Sequence, residues 1–169
     1  MTNLNLDIQA LLDELADAIR QHPRFHPDIK LVGIRTGGEW IAHALHQRLN
    51  LSQALGVLDI SFYRDDFSKI GLHPAVQPSN IPWSVENETL FLVDDVLYTG
   101  RTTRAAMNEI FDYGRPASIT LVTLVDRKGC RELPIQPDIT ALQMQCHQTL
   151  KLTGPEPLTM TLVEHTETA

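Results

Sequence analysis

One segment constrains this chain more than any other feature. It is a short apolar strand that is followed directly by two acidic residues, a glycine and several hydroxyl-bearing residues. The segment, residues 91–103, reads FLVDDVLYTGRTT. The apolar residues before Asp94 predict a buried strand, and Thr102 begins a helix, so the polar residues are expected in a strand-to-helix loop. The first turn of such a helix offers unpaired N–H groups and a positive dipole end, and both favour a phosphate.

Each polar residue of this loop suits one part of a phosphorylated sugar. The carboxylates of Asp94 and Asp95 can accept hydrogen bonds from sugar hydroxyls, either directly or through a metal ion. The hydroxyls of Thr99 and Thr102 can join backbone N–H groups around a phosphate, and Gly100 lets the backbone turn without a Cβ penalty. The sequence contains neither the P-loop pattern nor the dinucleotide motif G-x-G-x-x-G. Neither of those two phosphate-binding loops is therefore an alternative explanation of this segment.

Strand and helix patterns alternate along the chain, which predicts an α/β fold with an open, mainly parallel sheet flanked by helices. Helices are expected at residues 6–20, 39–49 and 102–113. Strands are expected at residues 29–34, 56–63, 89–93 and 118–125, with shorter ones near 139–144 and 158–163. Ligands of such sheets bind beyond the carboxyl ends of the strands. The loops expected to meet there are residues 35–38, 64–82, 94–102 and 126–134.

A second loop of the same kind lies one strand–helix unit before the acidic pair. It consists of Arg35, Thr36, Gly37 and Gly38. These residues supply a fixed cation, a hydroxyl and two glycines that allow the backbone to come close to an anion. Two anion-binding loops at one crevice suit a ligand that has a phosphate at one end and a diphosphate at the other.

The loop after the second strand is long, polar and interrupted by glycine and proline. Loops of this length in compact domains are usually functional or mobile. We expect a lid whose first residues are Arg64, Asp65 and Asp66, with Arg64 reaching the diphosphate. The alternative is a solvated loop edge, and a role of the two acids in metal binding is left open.

Four stretches of the chain resemble the bifunctional pyrimidine-operon regulatory protein/uracil phosphoribosyltransferase family. They are residues 31–36, 58–66, 91–103 and 114–135, and the most diagnostic parts are Tyr-Arg-Asp-Asp at 63–66 and Arg-Glu-Leu-Pro at 131–134. The resemblance implies the type I phosphoribosyltransferase fold with a small hood, as a single domain over residues 1–169. It also implies the reaction of uracil with phosphoribosyl diphosphate (PRPP) to give UMP and diphosphate, with Mg²⁺.

The resemblance also implies roles for particular residues. Asp94 and Asp95 would hold the ribose hydroxyls and, through PRPP, the metal, with Arg35 as the third catalytic residue. The 5′-phosphate would be cradled by Val96, Leu97, Tyr98, Thr99, Gly100, Arg101 and Thr102. The diphosphate would meet Arg35, Thr36, Gly37 and Gly38, under the lid of Arg64, Asp65 and Asp66. Uracil would lie under the segment that begins at Asp126 and Arg127, where backbone groups would read it.

The chain departs from the family pattern at two positions and in one stretch. Gly37 stands where family members usually carry a second basic residue, which removes a cation from the diphosphate side. Cys130 replaces a histidine before Arg131, and the stretch at residues 140–147 differs along one wall of the expected base pocket. We expect these departures to affect turnover and RNA control more than ligand binding.

Composition limits the partners and the compartment. The formal net charge of −7 argues against a generally nucleic-acid-coated surface, so we predict weak or absent RNA binding. No apolar run approaches the ~20 residues of a membrane span, and no signal-peptide pattern opens the chain. We therefore expect a cytoplasmic protein with no membrane partner. The resemblance implies a homodimer or a dimer of dimers.

Three functions stay open on the sequence. The first is the uracil phosphoribosyltransferase, and the second is a weakly catalytic or non-catalytic regulator that senses UMP or UTP and acts through RNA. The third is a phosphoribosyltransferase for hypoxanthine, guanine or another base. The Tyr-Arg-Asp-Asp segment at residues 63–66 favours uracil over the other bases.

Overall fold

The computed structural model describes residues 2–3, 6–61, 77–145 and 149–163, and all structural statements concern those residues. Helices in this part of the chain are α1 (Ile8–Gln21), α2 (Gly37–Leu49) and α3 (Arg101–Tyr113). Strands are β1 (Thr2–Asn3), β2 (Lys30–Ile34), β3 (Gly56–Leu58), β4 (Thr89–Leu97), β5 (Ser118–Arg127), β6 (Ile139–Met144), β7 (Thr149–Thr153) and β8 (Thr159–Val163). The expected lid residues Arg64, Asp65 and Asp66 lie outside the described residues.

The main sheet consists of five parallel strands in the order β3-β2-β4-β5-β6. From β2 the chain moves to β3 at one edge, whereas from β4 it moves through β5 to β6 at the other. The direction of winding therefore reverses between β2 and β4. In open parallel sheets the ligand crevice lies beyond the carboxyl ends of the strands at such a reversal. The predicted α/β fold with a parallel sheet and flanking helices is confirmed.

Both faces of this sheet are buried. One core cluster packs α1 and α2 on the sheet and includes Leu12, Leu45 and Phe91. The other packs α3 on the opposite face and includes Leu92 and Ile110. Side chains alternate between the faces of a strand, so β4 sends consecutive apolar residues into different cores. This double burial explains why its sequence is a continuous apolar run.

A smaller antiparallel sheet, in the order β1-β8-β7, corresponds to the expected hood. Its buried residues Leu150, Leu152 and Met160 join the core formed by α1 and α2. The β7 strand was not expected from the sequence, which indicated only one strand near the end of the chain. Among the described residues, no helix combines the length and the apolar character that crossing a membrane requires.

Several element boundaries differ from those expected. β4 continues to Leu97 instead of ending at Val93, because its register with β5 persists through Val96 and Leu97. β5 likewise continues to Arg127. α2 begins at Gly37, so the two glycines of the expected loop lie in the first helical turn. β3 is shorter than expected and ends at Leu58.

Candidate active site at the carboxyl ends of β2 and β4

The acidic pair lies in the last part of β4, and the loop after it is only residues 98–100. Gly100 caps α3 with φ of 91°, a left-handed conformation that favours glycine. The N–H of Arg101 donates to the Thr99 hydroxyl at 3.3 Å, which satisfies one of the N–H groups at the start of α3. The predicted arrangement of strand, acidic pair, tight loop and helix start is therefore present. Val96 and Leu97, however, belong to the strand and not to the loop.

The two carboxylates differ in accessibility. Asp94 is 4% exposed, and its Oδ1 accepts a hydrogen bond from the backbone N–H of Asp95 at 3.0 Å. Asp95 is half-buried and is therefore the more reachable of the two for a ligand. Asp94 lies opposite Thr123 of β5 in the strand register, so the sheet fixes its position.

The glycines of the second loop touch the acidic strand. A Cβ added to Gly38 would lie 2.5 Å from the carbonyl oxygen of Val93 and 3.0 Å from the Cα of Asp94. A Cβ added to Gly37 would collide with the carboxylate of Asp95. The structure thus brings Gly37 and Gly38 together with both acids, and the absence of side chains is what permits this approach. A basic side chain at position 37 would have to displace Asp95 from this position.

Arg35 is held by residues from three separate segments. Its Nε donates to Oε2 of Glu39 at 3.1 Å, and its Nη1 lies 4.0 Å from Oδ2 of Asp59. Nη1 also lies within hydrogen-bonding distance of the carbonyl oxygens of Gln77, at 3.4 Å, and Pro78, at 3.5 Å. The spacing of Arg35 and Glu39 is the ordinary i, i+4 ion-pair signal, but sequence reasoning missed both of the carboxylates that hold Arg35.

The expected base segment contains a buried ion pair. Asp126 is 1% exposed, and its Oδ1 accepts from Nη2 of Arg131 at 2.6 Å. The same guanidinium donates through Nη1 to the carbonyl oxygen of Tyr98 at 2.5 Å. Asp126 lies at the end of β5 and not in the expected loop. Its negative charge is balanced by the Arg131 guanidinium. Arg131, which the sequence marked only as part of the diagnostic Arg-Glu-Leu-Pro segment, therefore links the base segment to the phosphate loop.

Further contacts join the same two segments. The carbonyl oxygen of Thr99 accepts hydrogen bonds from the backbone N–H groups of Glu132 at 3.0 Å and Leu133 at 3.1 Å. The guanidinium of Arg127 lies 4.0 Å from the centre of the Tyr98 ring, a cation–π contact. A displacement of the base segment should therefore also displace the phosphate loop, and the reverse.

Two buried carboxyl groups near the loops have shifted pKa values. Burial alone would raise the pKa of Asp59, but hydrogen bonds from Ser61 and Gln77 and the charge of Arg35 together outweigh burial and lower it. Burial raises the pKa of Glu109, which lies on the inner face of α3. Asp59 is therefore ionised at neutral pH, and its negative charge attracts the Arg35 guanidinium.

Comparisons with known proteins show the family to which this chain belongs. A model described as "Phosphoribosyl transferase domain" matches residues 4–153. The chain is 53% identical over 161 residues to Bifunctional protein PyrR of Nitrosococcus oceani, with 92% of this chain and 90% of that protein covered. It is 52% identical over 154 residues to Bifunctional protein PyrR of Pseudomonas putida (strain W619), with 89% of each covered.

Solved structures at much lower identity share the fold. A hypoxanthine-guanine phosphoribosyltransferase of Bacillus anthracis superposes with a TM-score of 0.70 at 16% identity, covering 89% of this chain and 86% of that one. A hypoxanthine phosphoribosyltransferase of Staphylococcus aureus superposes with a TM-score of 0.66 at 21% identity, covering 85% and 76%. At these identities the likeness shows the fold alone, whereas the matches above show the family. The chain belongs to the phosphoribosyl transferase domain family and, within it, to the proteins called Bifunctional protein PyrR.

Proposed function

We propose that this protein transfers the 5-phosphoribosyl group of PRPP to uracil, forming UMP and releasing diphosphate. The observation that carries the proposal is the contact of the glycines of one anion-binding loop with the acidic pair that precedes the other. A ligand that carries phosphate groups on both sides of a ribose matches that arrangement. Membership in the phosphoribosyl transferase domain family supports the reaction class. The choice of uracil rests on the segments at residues 63–66 and 131–134.

The reaction exchanges one bond at the anomeric carbon of the ribose. The bond from that carbon to the diphosphate oxygen breaks, a bond to the uracil nitrogen forms, and that nitrogen loses its proton. A positively charged, oxocarbenium-like ribose in the transition state needs little covalent help from the protein. Catalysis then consists of holding the two reactants in line and neutralising the departing diphosphate.

Position in the crevice supports the residue roles that the family resemblance implies. Asp94 and Asp95 hold the ribose hydroxyls, with Asp95 the more accessible. The 5′-phosphate binds at the start of α3, where the helix dipole and the Thr99 hydroxyl favour an anion. On the opposite side the diphosphate meets Arg35 and the backbone of Thr36, Gly37 and Gly38.

Mg²⁺ fits this donor set as a partner of PRPP. Mg²⁺ prefers carboxylate, phosphate and water oxygens and is usually bound by one or two carboxylates together with substrate phosphates. Within the described ranges, no group of three or more His, Cys, Asp or Glu side chains is placed to hold a metal ion. We therefore assign the metal to PRPP itself, with Asp94 and Asp95 contributing through the ribose. The chemistry that Mg²⁺ supplies is neutralisation of charge on the diphosphate.

The uracil would lie beside the end of β5. Asp126 faces Arg131 and Arg127 faces Tyr98, so both charged side chains already have partners in the protein. A neutral base is then best read by backbone N–H and C=O groups of this segment. The same ties to Tyr98 would couple the base site to the phosphate loop.

We also propose a single catalytic domain over residues 1–169, which the family match over residues 4–153 supports. We place the protein in the cytoplasm and expect a homodimer or a dimer of dimers. Size-exclusion chromatography with light scattering would test the assembly, and a monomer would contradict it.

A second activity beside the transfer is favoured by the word "bifunctional" in the name that the relatives carry. We propose that this activity is binding of pyrimidine leader RNA, with weak affinity because the net charge of −7 opposes phosphate binding. A gel shift at physiological salt tests this, and binding at nanomolar protein would contradict the weak affinity.

The enzyme proposal is tested by incubating the protein with PRPP, Mg²⁺ and each of labelled uracil, hypoxanthine and guanine. UMP from uracil is expected, with little product from the purines. If product formed only from a purine, uracil would be the wrong substrate and that purine would replace it in the proposal.

A further inference from the structure

We infer that Asp59 is a positioning residue for Arg35, and that Ser79 and Glu109 hold Asp59 in place. The inference rests on the proposed function, because it extends the role given to Arg35 at the diphosphate. Asp59, Ser79 and Glu109 belong to different segments and none of them was singled out by the sequence. We call these three residues the clasp.

The clasp begins at β3, where a second segment of chain lies beside the strand. Val57 and Asn80 exchange backbone hydrogen bonds of 2.9 and 2.8 Å, which makes an isolated antiparallel bridge. Two residues further on, the N–H of Asp59 donates to the Ser79 hydroxyl at 2.8 Å. The N–H of Gln77 donates to Oδ2 of Asp59 at 3.1 Å. The two segments are therefore joined through the Asp59 side chain as well as through the backbone.

The Asp59 carboxylate is buried and fixed from several directions. Its Oδ1 accepts from both the N–H and the hydroxyl of Ser61, at 3.0 and 2.5 Å, and its Oδ2 accepts from Gln77. Asp59 is 9% exposed, and the lowered pKa means that this buried group keeps its charge. An ionised carboxylate that cannot rotate is a suitable anchor for a neighbouring guanidinium.

Arg35 is the cation that this anchor faces. Glu39 pairs with its Nε from within the same loop–helix unit, whereas Asp59 and the carbonyl oxygens of Gln77 and Pro78 lie near its Nη1. Two edges of the guanidinium are thus oriented by different elements. A guanidinium has five N–H donors, so this arrangement sets its direction and still leaves donors for a diphosphate.

Behind Asp59, the clasp connects to α3. The Ser79 hydroxyl accepts from Asp59 and donates to Oε1 of Glu109, which is 6% exposed. The other oxygen of Glu109, Oε2, has no hydrogen-bond partner in the part of the chain that the structure describes. Because α3 begins at the phosphate loop, the clasp links the helix of one anion-binding loop to the cation of the other.

The substitution Asp59→Asn produces two opposite effects, and their balance tests the inference. Removing a negative charge near Arg35 should strengthen anion binding if Asp59 acts only through its charge. Loss of the fixed partner should weaken anion binding if Asp59 positions Arg35, because an asparagine side chain has one acceptor oxygen and cannot accept from both Ser61 and Gln77 as the two carboxylate oxygens do. We expect positioning to dominate, with affinity for inorganic diphosphate in the presence of Mg²⁺ reduced about tenfold.

The experiment is isothermal titration calorimetry of the whole protein with diphosphate and Mg²⁺, and separately with UMP. Asp59→Asn should weaken diphosphate binding and leave UMP, which lacks a diphosphate, nearly unchanged. Ser79→Ala should give a smaller loss in the same direction. The matched control is Asp13→Asn, which removes the surface Asp13–Arg48 ion pair of 2.7 Å and should change neither ligand.

A double-mutant cycle separates positioning from a general effect on folding. In an Arg35→Gln background, Asp59→Asn should have no further effect on diphosphate affinity, because the cation to be positioned is gone. Additive losses, or tighter diphosphate binding by Asp59→Asn alone, would overturn the inference while leaving the proposed function intact. Wild-type protein that binds neither diphosphate nor UMP would overturn the proposed function and this inference with it.

Discussion

Gly38→Ala perturbs the close contact between α2 and β4 on which the active site depends. The new Cβ would lie 2.5 Å from the Val93 carbonyl oxygen, whereas ordinary contact begins at 3.4 Å, so helix and strand must separate by roughly 0.9 Å. Both neighbours, Val93 O and the Cα of Asp94, are backbone atoms and cannot rotate away. Overpacking of this kind costs about 1–3 kcal/mol, which for a chain of 169 residues lowers Tm by about 2–12 °C.

The effect of Gly38→Ala on activity should exceed its effect on stability. A displacement near 1 Å in the positioning of reactants lowers rates by about 10²-fold, and the displaced residues here include Asp94. The assay is UMP formation from uracil and PRPP, measured well below the Tm of the variant. Gly56→Ala is the matched control: the nearest atoms to its Cβ would be side-chain atoms of Ile81 and Trp83 at 3.1 Å and of Val32 at 3.4 Å, and position 56 begins β3, at the opposite end of the strand from the crevice.

We expect Gly56→Ala to keep wild-type activity. If Gly38→Ala retains both the wild-type Tm and the wild-type rate, the argument from close contact is refuted. If it loses stability but keeps the rate, the contact supports the fold but does not set the geometry of the acidic pair.

Three further predictions concern charged groups and hydroxyls at the site. Arg131→Gln leaves the Asp126 carboxylate, whose side chain is 2% exposed, buried without its cation, so urea unfolding should show a loss of about 3–5 kcal/mol. Asp95→Asn and Thr99→Ala should each lower the rate of UMP formation by about 10²-fold, as expected when a preorganised polar contact is lost. Glu109→Gln should raise Tm at pH 7.5, because burial raises the pKa of this carboxyl and its charged form is disfavoured in the folded protein.

The pH dependence of the Glu109→Gln effect has a definite sign. A carboxyl whose pKa is raised on folding destabilises the fold at pH values above its folded pKa, and the penalty disappears below its unfolded pKa. The Tm difference between variant and wild type should therefore shrink as the pH falls towards 4.5, the unshifted value. A difference that is constant with pH would contradict the assignment, and so would unchanged stability in Arg131→Gln or unchanged rates in both site variants.

Local patterns in the sequence were enough to predict the frame of the site. The run that ends at Asp94 and Asp95 is apolar because β4 is buried on both faces, and Gly100 marks the turn because its backbone is left-handed. The glycines after Arg35 indicated an unusually close approach of the backbone, and the structure places them against the acidic strand; their contact with a diphosphate stays a prediction. These features depend on residues near one another in the chain, so a sequence reveals them.

Contacts between distant segments could not be predicted in the same way. Asp59 and Ser79 are 20 residues apart in the chain, and Ser79 contacts Glu109 30 residues further on, so only the folded chain brings them together. One signal was available: Glu109 lies four residues after Ala105, on the buried face of an amphipathic helix. An acidic residue on such a face indicates a buried polar partner. The extension of β4 to Leu97 was missed because pairing with β5, and not local sequence, determines where the strand ends.

The most direct test of the central claim measures both products of the proposed transfer in one reaction. Purified protein is incubated with PRPP, Mg²⁺ and labelled uracil, and UMP and released diphosphate are quantified together. We predict equal amounts of UMP and diphosphate, with both abolished when uracil is omitted. No nucleotide from uracil or any other nucleobase, under conditions where the protein is folded, would contradict the claim that this crevice is a phosphoribosyltransferase active site.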